Sequence, residues 1–418
     1  MSETSPRIAI TSLAAGGAGV GRLPDGMTVF VPRTAPGDEV IVASLMRRRR
    51  FAKATAAEIA TLGPGRVDPP CPHFTSDRCG GCQWQHLSGE VQRQAKARIV
   101  GDALRRIGKL ALPDPEIEAS PRSYGYRATI TLTVRHVASR VIAGFHDAED
   151  PSRVFSLDRC HIARDEVDEL WQAIRPALGA LPRGDDVRLK LRVAPDGGLH
   201  VIVDGGDRAW SGAAELAAAA RQRQLAPTVW WRPPHGAPRR MAGPEADAGA
   251  ASFAQVNPAV AGLLRDAVVE AAKESGGRKV LDLYAGVGDT ALPLAAAGHE
   301  VVLVELDERA VRQANDRAVR EGITLRCIAA RVEDVIGKLL PADVVIVNPP
   351  RAGLSAAVSH HLTSSPPRRL VYVSCDPATL ARDLQRVAPG GRCTVRAFDM
   401  FPQTSHVETL AVVERGSA

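Results

Sequence analysis

The sequence predicts a multidomain α/β protein built from a small N-terminal β-barrel, a central, mainly antiparallel α+β domain and a C-terminal doubly wound α/β domain. Short strands separated by Gly and Pro fill the first part of the chain, and a clear hairpin pattern lies in the middle. From Phe253 onward strand and helix patterns alternate, which is typical of a parallel sheet covered by helices. We therefore predict three domains, at residues 1–62, 63–249 and 250–418.

The composition argues against a membrane protein and against a secreted disulfide scaffold. No apolar run approaches the roughly 20 residues of a membrane-spanning helix, and the N-terminus lacks the apolar core of a secretory signal. The seven cysteines are an odd number, which disfavours a framework of disulfides. A net charge of +6 favours a polyanionic partner. We expect a cytoplasmic protein that works as a monomer.

The first domain has the strand spacing of a small OB-like barrel. Predicted strands cover residues 8–13, 27–31, 39–43 and 54–60, with a Gly-rich stretch at 15–21. Four consecutive arginines, Arg47 to Arg50, precede the last strand and are followed by Phe51 and Lys53. On a small barrel such a loop favours contact with backbone phosphates, and the alternative is an ordinary solvated loop.

Three cysteines, Cys71, Cys79 and Cys82, follow a Pro- and Gly-rich linker. The two glycines between Cys79 and Cys82 let the backbone fold tightly around an ion. A fourth thiolate is needed, and Cys160 is the candidate. Four thiolates suit either structural zinc or an iron–sulfur cluster. The distant fourth cysteine favours the cluster over the paired spacing of a zinc ribbon, and both readings stay open at this point.

The rest of the central domain is predicted as strands with two helices. The strands are 126–134, 141–146, 187–193 and 199–203, the helices are 91–107 and 213–220, and 233–249 is a linker or loop. The last two strands are joined by a Pro-Asp-Gly-Gly turn, which predicts a hairpin. Helix 91–107 is basic and amphipathic, so it faces either a polyanion or solvent.

The C-terminal domain carries a ligand-binding signature after its first strand. The motif runs from Asp282 through Tyr284, Gly286 and Gly288 to Asp289, and the glycines permit close approach of a ligand to the backbone. Glu305 ends the second strand, where a carboxylate can accept hydrogen bonds from both ribose hydroxyls. A dinucleotide fingerprint would require a third glycine, where this chain has alanine.

The remaining elements continue the alternation to the end of the chain. The predicted strands are 280–283, 300–305, 325–329, 343–347, 370–373, 394–398 and 407–413. The predicted helices are one starting at Pro258 and those at 289–297, 308–321, 333–339, 355–363 and 377–387.

Two segments in this domain carry residues suited to covalent chemistry. Strand 370–373 ends at Ser374 and Cys375, and Asp376 suits the N-cap of the next helix. A cysteine at this edge of a parallel sheet lies where ligands bind, and the helix N-terminus is expected to favour its thiolate. Glu408 opens the last strand and is a candidate base. The alternatives are a buried cysteine that only packs and a surface glutamate.

These segments, taken in chain order, resemble the RNA uracil-5-methyltransferase family that carries a TRAM domain and a [4Fe-4S] cluster. The matching motifs are the barrel, Cys71 with Cys79-Gly-Gly-Cys82, Cys160, Phe253-x-Gln255-x-Asn257, Asp282-x-Tyr284-x-Gly286-x-Gly288, Pro349-Pro350-Arg351, Ser374-Cys375-Asp376-Pro377 and His406-Val407-Glu408-Thr409. The Ser-Cys-Asp-Pro and His-Val-Glu-Thr motifs are the most specific part.

The resemblance implies a cofactor, a cluster and a role for each site residue. Cys375 would be the nucleophile that adds to carbon 6 of uracil, and Glu408 the base that removes the proton from carbon 5. The S-adenosylmethionine site would be formed by Gln255, Tyr284, Gly286, Asp289, Glu305 and Asn348. The cluster ligands would be Cys71, Cys79, Cys82 and Cys160. The implied partner is ribosomal or transfer RNA, whose uridine must be flipped out to reach the pocket.

Two residues differ from the family pattern, and two other functions compete with this one. Asn348 stands where the family has Asp, and Arg331 where relatives have Asn or Asp. One alternative is an amino-methyltransferase that acts through Asn348-Pro349-Pro350. The other is an iron–sulfur RNA-binding protein without catalytic activity.

Overall fold

The computed structural model describes residues 6–138, 140–206, 209–246, 255–274, 276–388 and 390–415. Phe253 of the sequence motif therefore lies outside the described residues. Three β-sheets organise the chain, and they follow one another in sequence with a single exception. Within the described ranges, no helix combines the length and the apolar character required to cross a membrane.

The first sheet is a closed five-stranded barrel, which confirms the predicted architecture. Its strands are β1 (Arg7–Leu13), β2 (Gly19–Arg22), β3 (Thr28–Val31), β4 (Glu39–Arg47) and β5 (Ala52–Thr61), in the order β1-β2-β3-β5-β4. The Gly-rich stretch contributes β2, which was not predicted. A Cβ on Gly19 would lie 2.0 Å from Thr34 Oγ1, and one on Gly21 would lie 2.4 Å from Ile8 Cγ2. These glycines thus permit close packing inside a strand as well as a turn.

The second sheet has six strands in the order β12-β11-β10-β9-β7-β8. The strands are β7 (Thr129–Val137), β8 (Arg140–Gly144), β9 (Arg188–Val193), β10 (Leu199–Asp204), β11 (Thr228–Arg232) and β12 (Arg239–Ala242). Helices α3 (Asp165–Ile174) and α4 (Ala213–Arg221) pack on one face of the sheet. The predicted β9–β10 hairpin is confirmed. The prediction that 233–249 is only linker or loop is wrong at β12, which pairs with β11.

The third sheet has eight strands in the order β15-β14-β13-β16-β17-β19-β18-β6. Its strands are β6 (Ile117–Glu118), β13 (Lys279–Leu283), β14 (Glu300–Glu305), β15 (Arg326–Ala329), β16 (Val344–Val347), β17 (Arg369–Ser374), β18 (Arg392–Phe398) and β19 (Glu408–Glu414). Its helices are α5 (Pro258–Lys273), α6 (Ala291–Ala296), α7 (Glu308–Glu321), α8 (Val332–Leu339), α9 (Ala356–Ser364) and α10 (Pro377–Val387). Strands β13 to β17 are parallel, and β19 is inserted antiparallel between β17 and β18.

Alternating residues of the parallel strands belong to two separate apolar cores, one on each face of the sheet. Leu281 and Val345 belong to the core that also holds α8, α9 and α10, whereas Val280 and Val344 belong to the core that holds α5 and α6. A strand buried on both faces is the expected state of a doubly wound sheet. The predicted doubly wound architecture is therefore confirmed.

Helices α1 (Pro72–Thr75) and α2 (Gly89–Arg106) follow the barrel in sequence, and the segment formed by α2 and β6 is the exception to the sequential order. Val100 and Leu104 of α2 lie in the same core as Leu380 and Leu384 of α10. Strand β6, which follows α2, pairs in parallel with β18 at the edge of the third sheet. A segment that precedes the second sheet in sequence thus packs on the third.

Candidate active site and cysteine cavity

Cys375 directly follows β17, and Glu408 is the first residue of β19, its antiparallel neighbour. Ser374, the last residue of β17, pairs with Thr409 near the start of β19. Cys375 and Glu408 each adjoin this pair, and they are close enough for the charge of Glu408 to act on the Cys375 thiol. Thr409 Oγ1 also donates to Ser374 O at 2.7 Å, which fixes the register at this point. Residues 33 positions apart in sequence therefore form one site at the carboxyl end of β17.

The turn after Cys375 has the predicted helix start. Asp376 Oδ1 accepts a hydrogen bond from Thr379 N at 2.8 Å, and Pro377 occupies the first turn of α10. Ser374 Oγ accepts from Asp376 N at 3.1 Å, so the residues on both sides of Cys375 are fixed. This confirms Asp376 as the N-cap.

The electrostatic surroundings of Cys375 differ from the expectation of a favoured thiolate. Burial and then the negative charge of Glu408 raise the pKa of the half-buried Cys375 thiol, and Arg351 opposes that rise. The helix N-terminus is outweighed because a thiolate here would be poorly hydrated and would face a carboxylate. The resting site therefore favours the thiol.

Glu408 is buried, with 4% of its surface exposed. Burial raises its pKa to about 7, and the charge of Arg351 again acts in the opposite direction. A carboxyl group that titrates near neutral pH can both accept a proton and release it, which is what a general base requires. The alternative of an ordinary surface glutamate is therefore wrong.

Arg351 is the cation of this site, and its loop is held by α10. Asp383, which is fully buried on α10, accepts hydrogen bonds from Leu354 N and from the Tyr372 hydroxyl, both at 2.8 Å. Thr379 Oγ1 donates to Arg351 O at 3.1 Å. Our sequence reasoning missed Asp383, although a carboxylate within the apolar stripe of a helix was the available signal.

The candidate cofactor pocket lies at the carboxyl ends of β13 and β14. Tyr284 and Gly286 both adopt left-handed backbone conformations, with φ of 60° and 56°. Glu305 Oε2 accepts a hydrogen bond from Gly286 N at 3.0 Å, so the acidic residue and the glycine turn lie side by side. A Cβ on Gly286 would meet no atom within 4 Å, so the turn borders open space.

The other predicted cofactor residues lie around this edge with different degrees of exposure. Asn348 follows β16 and donates its backbone N–H to Leu283 O at 3.3 Å. Asp289 is ion-paired with Arg317 at 2.8 Å and is largely exposed. Gln255 is half-buried just before α5, and Arg331 is the N-cap residue of α8.

Cys71, Cys79, Cys82 and Cys160 line one cavity, together with His73, Gln85 and Arg127. All seven cysteines of the chain are free thiols. In the described part of the chain, no three His, Cys, Asp or Glu side chains are close enough to share one metal ion. Gln85 Oε1 and Arg127 Nε are buried atoms without a hydrogen-bond partner among the described residues. The cavity thus combines four thiols with two side chains that each bury one unpaired polar atom.

A family model matches the C-terminal part of the chain, and relatives match nearly its whole length. The model of the tRNA (uracil-5-)-methyltransferase family matches residues 247–416. An uncharacterised RNA methyltransferase of Gloeobacter violaceus is 33% identical over 446 residues, covering 98% of this chain and 96% of that protein. The 23S rRNA (uracil(1939)-C(5))-methyltransferase RlmD of Azoarcus sp. is 33% identical over 98% of this chain and 100% of that protein.

The chain belongs to the RNA uracil-5-methyltransferase family. The predicted enzyme class, an S-adenosylmethionine-dependent RNA uracil-5-methyltransferase, is thereby confirmed. This uracil-5-methyltransferase also matches a solved structure along its whole length. The tRNA (uracil-54, C5)-methyltransferase of Pyrococcus abyssi, solved in complex with S-adenosyl-L-homocysteine, superposes with a TM-score of 0.75 at 25% identity. The match covers 98% of this chain and all of that one, so the three-sheet arrangement is shared.

Proposed function

We propose that this enzyme forms 5-methyluridine in ribosomal or transfer RNA through covalent addition of Cys375 to the uracil ring. The observation that carries the proposal is the proximity of Cys375 and Glu408 at the adjoining ends of β17 and β19. A nucleophile and a base on one side of a pocket can act in turn on adjacent carbons of a single ring.

Each step uses one of these side chains. The Cys375 thiolate adds to carbon 6, which places the electron pair on carbon 5 as an enolate. Carbon 5 then accepts the methyl group that S-adenosylmethionine supplies when bound. Glu408 removes the proton from carbon 5, the carbon 5–carbon 6 double bond forms again, and the Cys375–carbon 6 bond breaks to release the thiolate.

The two pKa shifts assign a starting state to the pair. Because Glu408 titrates near pH 7 and raises the pKa of Cys375, a protonated Glu408 favours the thiolate before addition. Glu408 must lose that proton before it can act on carbon 5. The activity is expected to rise with pH through the region near 7, where the carboxylate and the thiolate both become more populated.

We assign the S-adenosylmethionine site to the pocket at β13 and β14. The left-handed turn at Tyr284 and Gly286 leaves room for the cofactor against the backbone, and Glu305 suits the ribose hydroxyls. The proposed site residues are Gln255, Tyr284, Gly286, Asp289, Glu305 and Asn348.

We assign a [4Fe-4S] cluster to the cysteine cavity. A single zinc ion holds its sulfur ligands at about 2.3 Å and would draw them into one tight group, whereas each cysteine of a cluster binds a different iron. The spread of Cys71, Cys79, Cys82 and Cys160 around one cavity fits the cluster better. Arg127 and Gln85 supply a cation and an amide for a group that is anionic with four thiolates.

We assign RNA binding to the barrel, which we interpret as a TRAM domain. The exposed loop between β4 and β5 carries Arg48, Arg49 and Arg50, and Phe51 packs edge-on against Phe30 at 5.7 Å. Such a loop presents cations to phosphates without sequence specificity. We propose that the enzyme acts as a monomer in the cytoplasm, where its free thiols stay reduced.

The test is incubation with labelled S-adenosylmethionine and total RNA from a strain that lacks the gene, followed by nucleoside mass spectrometry and mapping. We expect 5-methyluridine at a discrete site, and the mapping assigns that site to ribosomal or transfer RNA. RNA that carries 5-fluorouridine should form a covalent adduct with the wild type and none with Cys375→Ala. Methylation of an exocyclic nitrogen without an adduct would instead favour an amino-methyltransferase acting through Asn348-Pro349-Pro350, and absence of any methylation would favour a binding protein.

A further inference from the structure

The segment between β18 and β19, residues 399–407, leads directly into the proposed base. It is irregular, and it ends one residue before Glu408. His406 lies in it and stacks edge-on against Phe401 at 6.0 Å. Because no strand pairing fixes these residues, other contacts must hold them in place.

Gln403, at the centre of this segment, has an unusual backbone conformation. Its φ is +68°, in the left-handed region that glycine tolerates and other residues rarely adopt. Gln403 is also buried, with 4% of its surface exposed. A strained residue persists only where its surroundings over-determine it, and such residues cluster at functional sites.

Gln92 of α2 supplies that constraint. Its Oε1 accepts a hydrogen bond from Gln403 N at 2.8 Å, and its Nε2 donates to Gln403 Oε1 at 2.9 Å. The same Nε2 also contacts Trp84 O at 3.0 Å and Leu87 O at 2.9 Å. Gln92 is itself buried, so each of these hydrogen bonds is protected from water.

The neighbours of Gln403 are held in the same way. Trp84 N donates to Gln403 O at 3.0 Å, and the Tyr126 hydroxyl donates to Pro402 O at 3.0 Å. Lys96, one helical turn after Gln92, lies between Asp399 Oδ1 at 2.5 Å and Phe401 O at 3.0 Å. Helix α2 therefore contacts the segment at both its start and its centre.

We infer that Gln92 is a positioning residue for proton removal from carbon 5, acting through Gln403 on the segment that presents Glu408. The inference rests on the proposed function. Cys375 is held separately, by β17 and by the N-cap of α10. Loss of Gln92 should therefore disturb the base and leave the nucleophile in place, so the covalent methylated adduct should form and then break down slowly.

The experiment compares Gln92→Leu with Gln94→Leu in the full-length enzyme. Gln94 is exposed on the same helix, and its side-chain bond is to Glu90 at 2.7 Å, so it is a matched control. The substrate is RNA with tritium at carbon 5 of its uridines. Methyl transfer to RNA, tritium release and covalent protein–RNA adduct are measured in single turnovers.

For Gln92→Leu we expect tritium release slowed by roughly ten- to a hundredfold relative to methyl transfer, with accumulation of the adduct and an unchanged KM for RNA. Gln94→Leu should match the wild type. Gln403→Gly is a second variant that adopts the same φ without strain but lacks the side-chain amide that accepts from Gln92 Nε2. This variant should also accumulate adduct, so the inference can be tested even if Gln92→Leu folds poorly.

Tritium release that keeps pace with methyl transfer in both variants would overturn the inference. So would a slower rate of adduct formation with no change in the later release of tritium. If the wild type itself forms no adduct and releases no tritium, the proposed function fails, and the role of Gln92 fails with it.

Discussion

At the scale of single residues, the ionisation of Cys375 and Glu408 depends on burial and on the charges beside them. The charge of Glu408 opposes ionisation of Cys375, while Arg351 favours the ionised form of both. A site of this kind favours the neutral thiol at rest and makes small changes of charge effective. Arg351 is therefore the residue through which the chemistry can be tuned.

Arg351→Met should slow covalent addition. Without the cation, the pKa of the Cys375 thiol rises further, and one unit of pKa corresponds to about a tenfold smaller thiolate fraction at neutral pH. We expect formation of the 5-fluorouridine adduct at saturating RNA to fall about tenfold at pH 7 and its pH profile to move upward. Arg351→Lys should keep most of the rate. The exposed Arg312→Met is the control, and an unmoved pH profile in Arg351→Met would contradict the role.

Glu408→Gln should stabilise the fold at alkaline pH. Burial raises the pKa of Glu408 from 4.5 to about 7, so ionisation costs more in the folded than in the unfolded chain. That cost is absent below pH 4.5, grows between 4.5 and 7, and is complete above about 7. We expect the variant to gain roughly 2–3 kcal/mol in unfolding free energy at pH 8 and much less at pH 5, measured by urea titration. Exposed Glu308→Gln should gain nothing; equal gains at both pH values would refute the assignment.

The residue types of the site could be read from the sequence, but their ionisation could not. Asp376 and Pro377 predict a helix start correctly because capping depends on neighbouring residues alone. The pKa of Cys375 depends on Glu408 and Arg351, which are brought close only by strand register and by the loop that Asp383 holds. Local pattern therefore singled out Cys375 and predicted its charge state wrongly.

At the scale of elements, length and composition decided what was predictable. Long, regularly patterned elements such as α7 and β14 have the predicted bounds. Strand β6 has two residues, too few for any alternation, and forms only because β18 offers an edge. Strand β2 was not predicted because glycines in a sequence indicate a turn. Here they allow close packing in the barrel.

Two adjacent glycines in the β1–β2 turn allow a test of the contact between the barrel and the cysteine segment. Gly16 and Gly17 both have left-handed φ, 92° and 95°. A Cβ at Gly17 would lie 2.7 Å from Gln83 Cβ, whereas one at Gly16 would meet nothing within 4 Å. Alanine should therefore cost more at Gly17 than at Gly16, by about 1–3 kcal/mol in chemical denaturation. Equal losses would mean that the barrel does not rest on this segment.

At the scale of the whole molecule, residues 82–87 join parts that are distant in sequence. Trp84 Nε1 donates to Gly17 O in the barrel at 2.9 Å, and Trp84 N donates to Gln403 O beside the proposed base at 3.0 Å. His86 Nε2 contacts Thr34 O at 3.2 Å. Motif order predicted three consecutive parts, but it carries no information on which loops touch. Each of these contacts ends on a backbone carbonyl, which is the same for every residue type.

Because this segment begins at a proposed cluster ligand, loss of the cluster should loosen the barrel and the base together. Cys82→Ala should lose iron and sulfide, lower the unfolding temperature, and speed amide hydrogen exchange at both Gly17 and Gln403, since a bound group stabilises only the folded segment. Cys393→Ala, a half-buried cysteine of β18, is the matched control and should keep its iron. Full iron content in Cys82→Ala would refute the ligand set. Loss of iron with exchange at Gln403 unchanged would show that α2 alone holds the segment that carries Glu408.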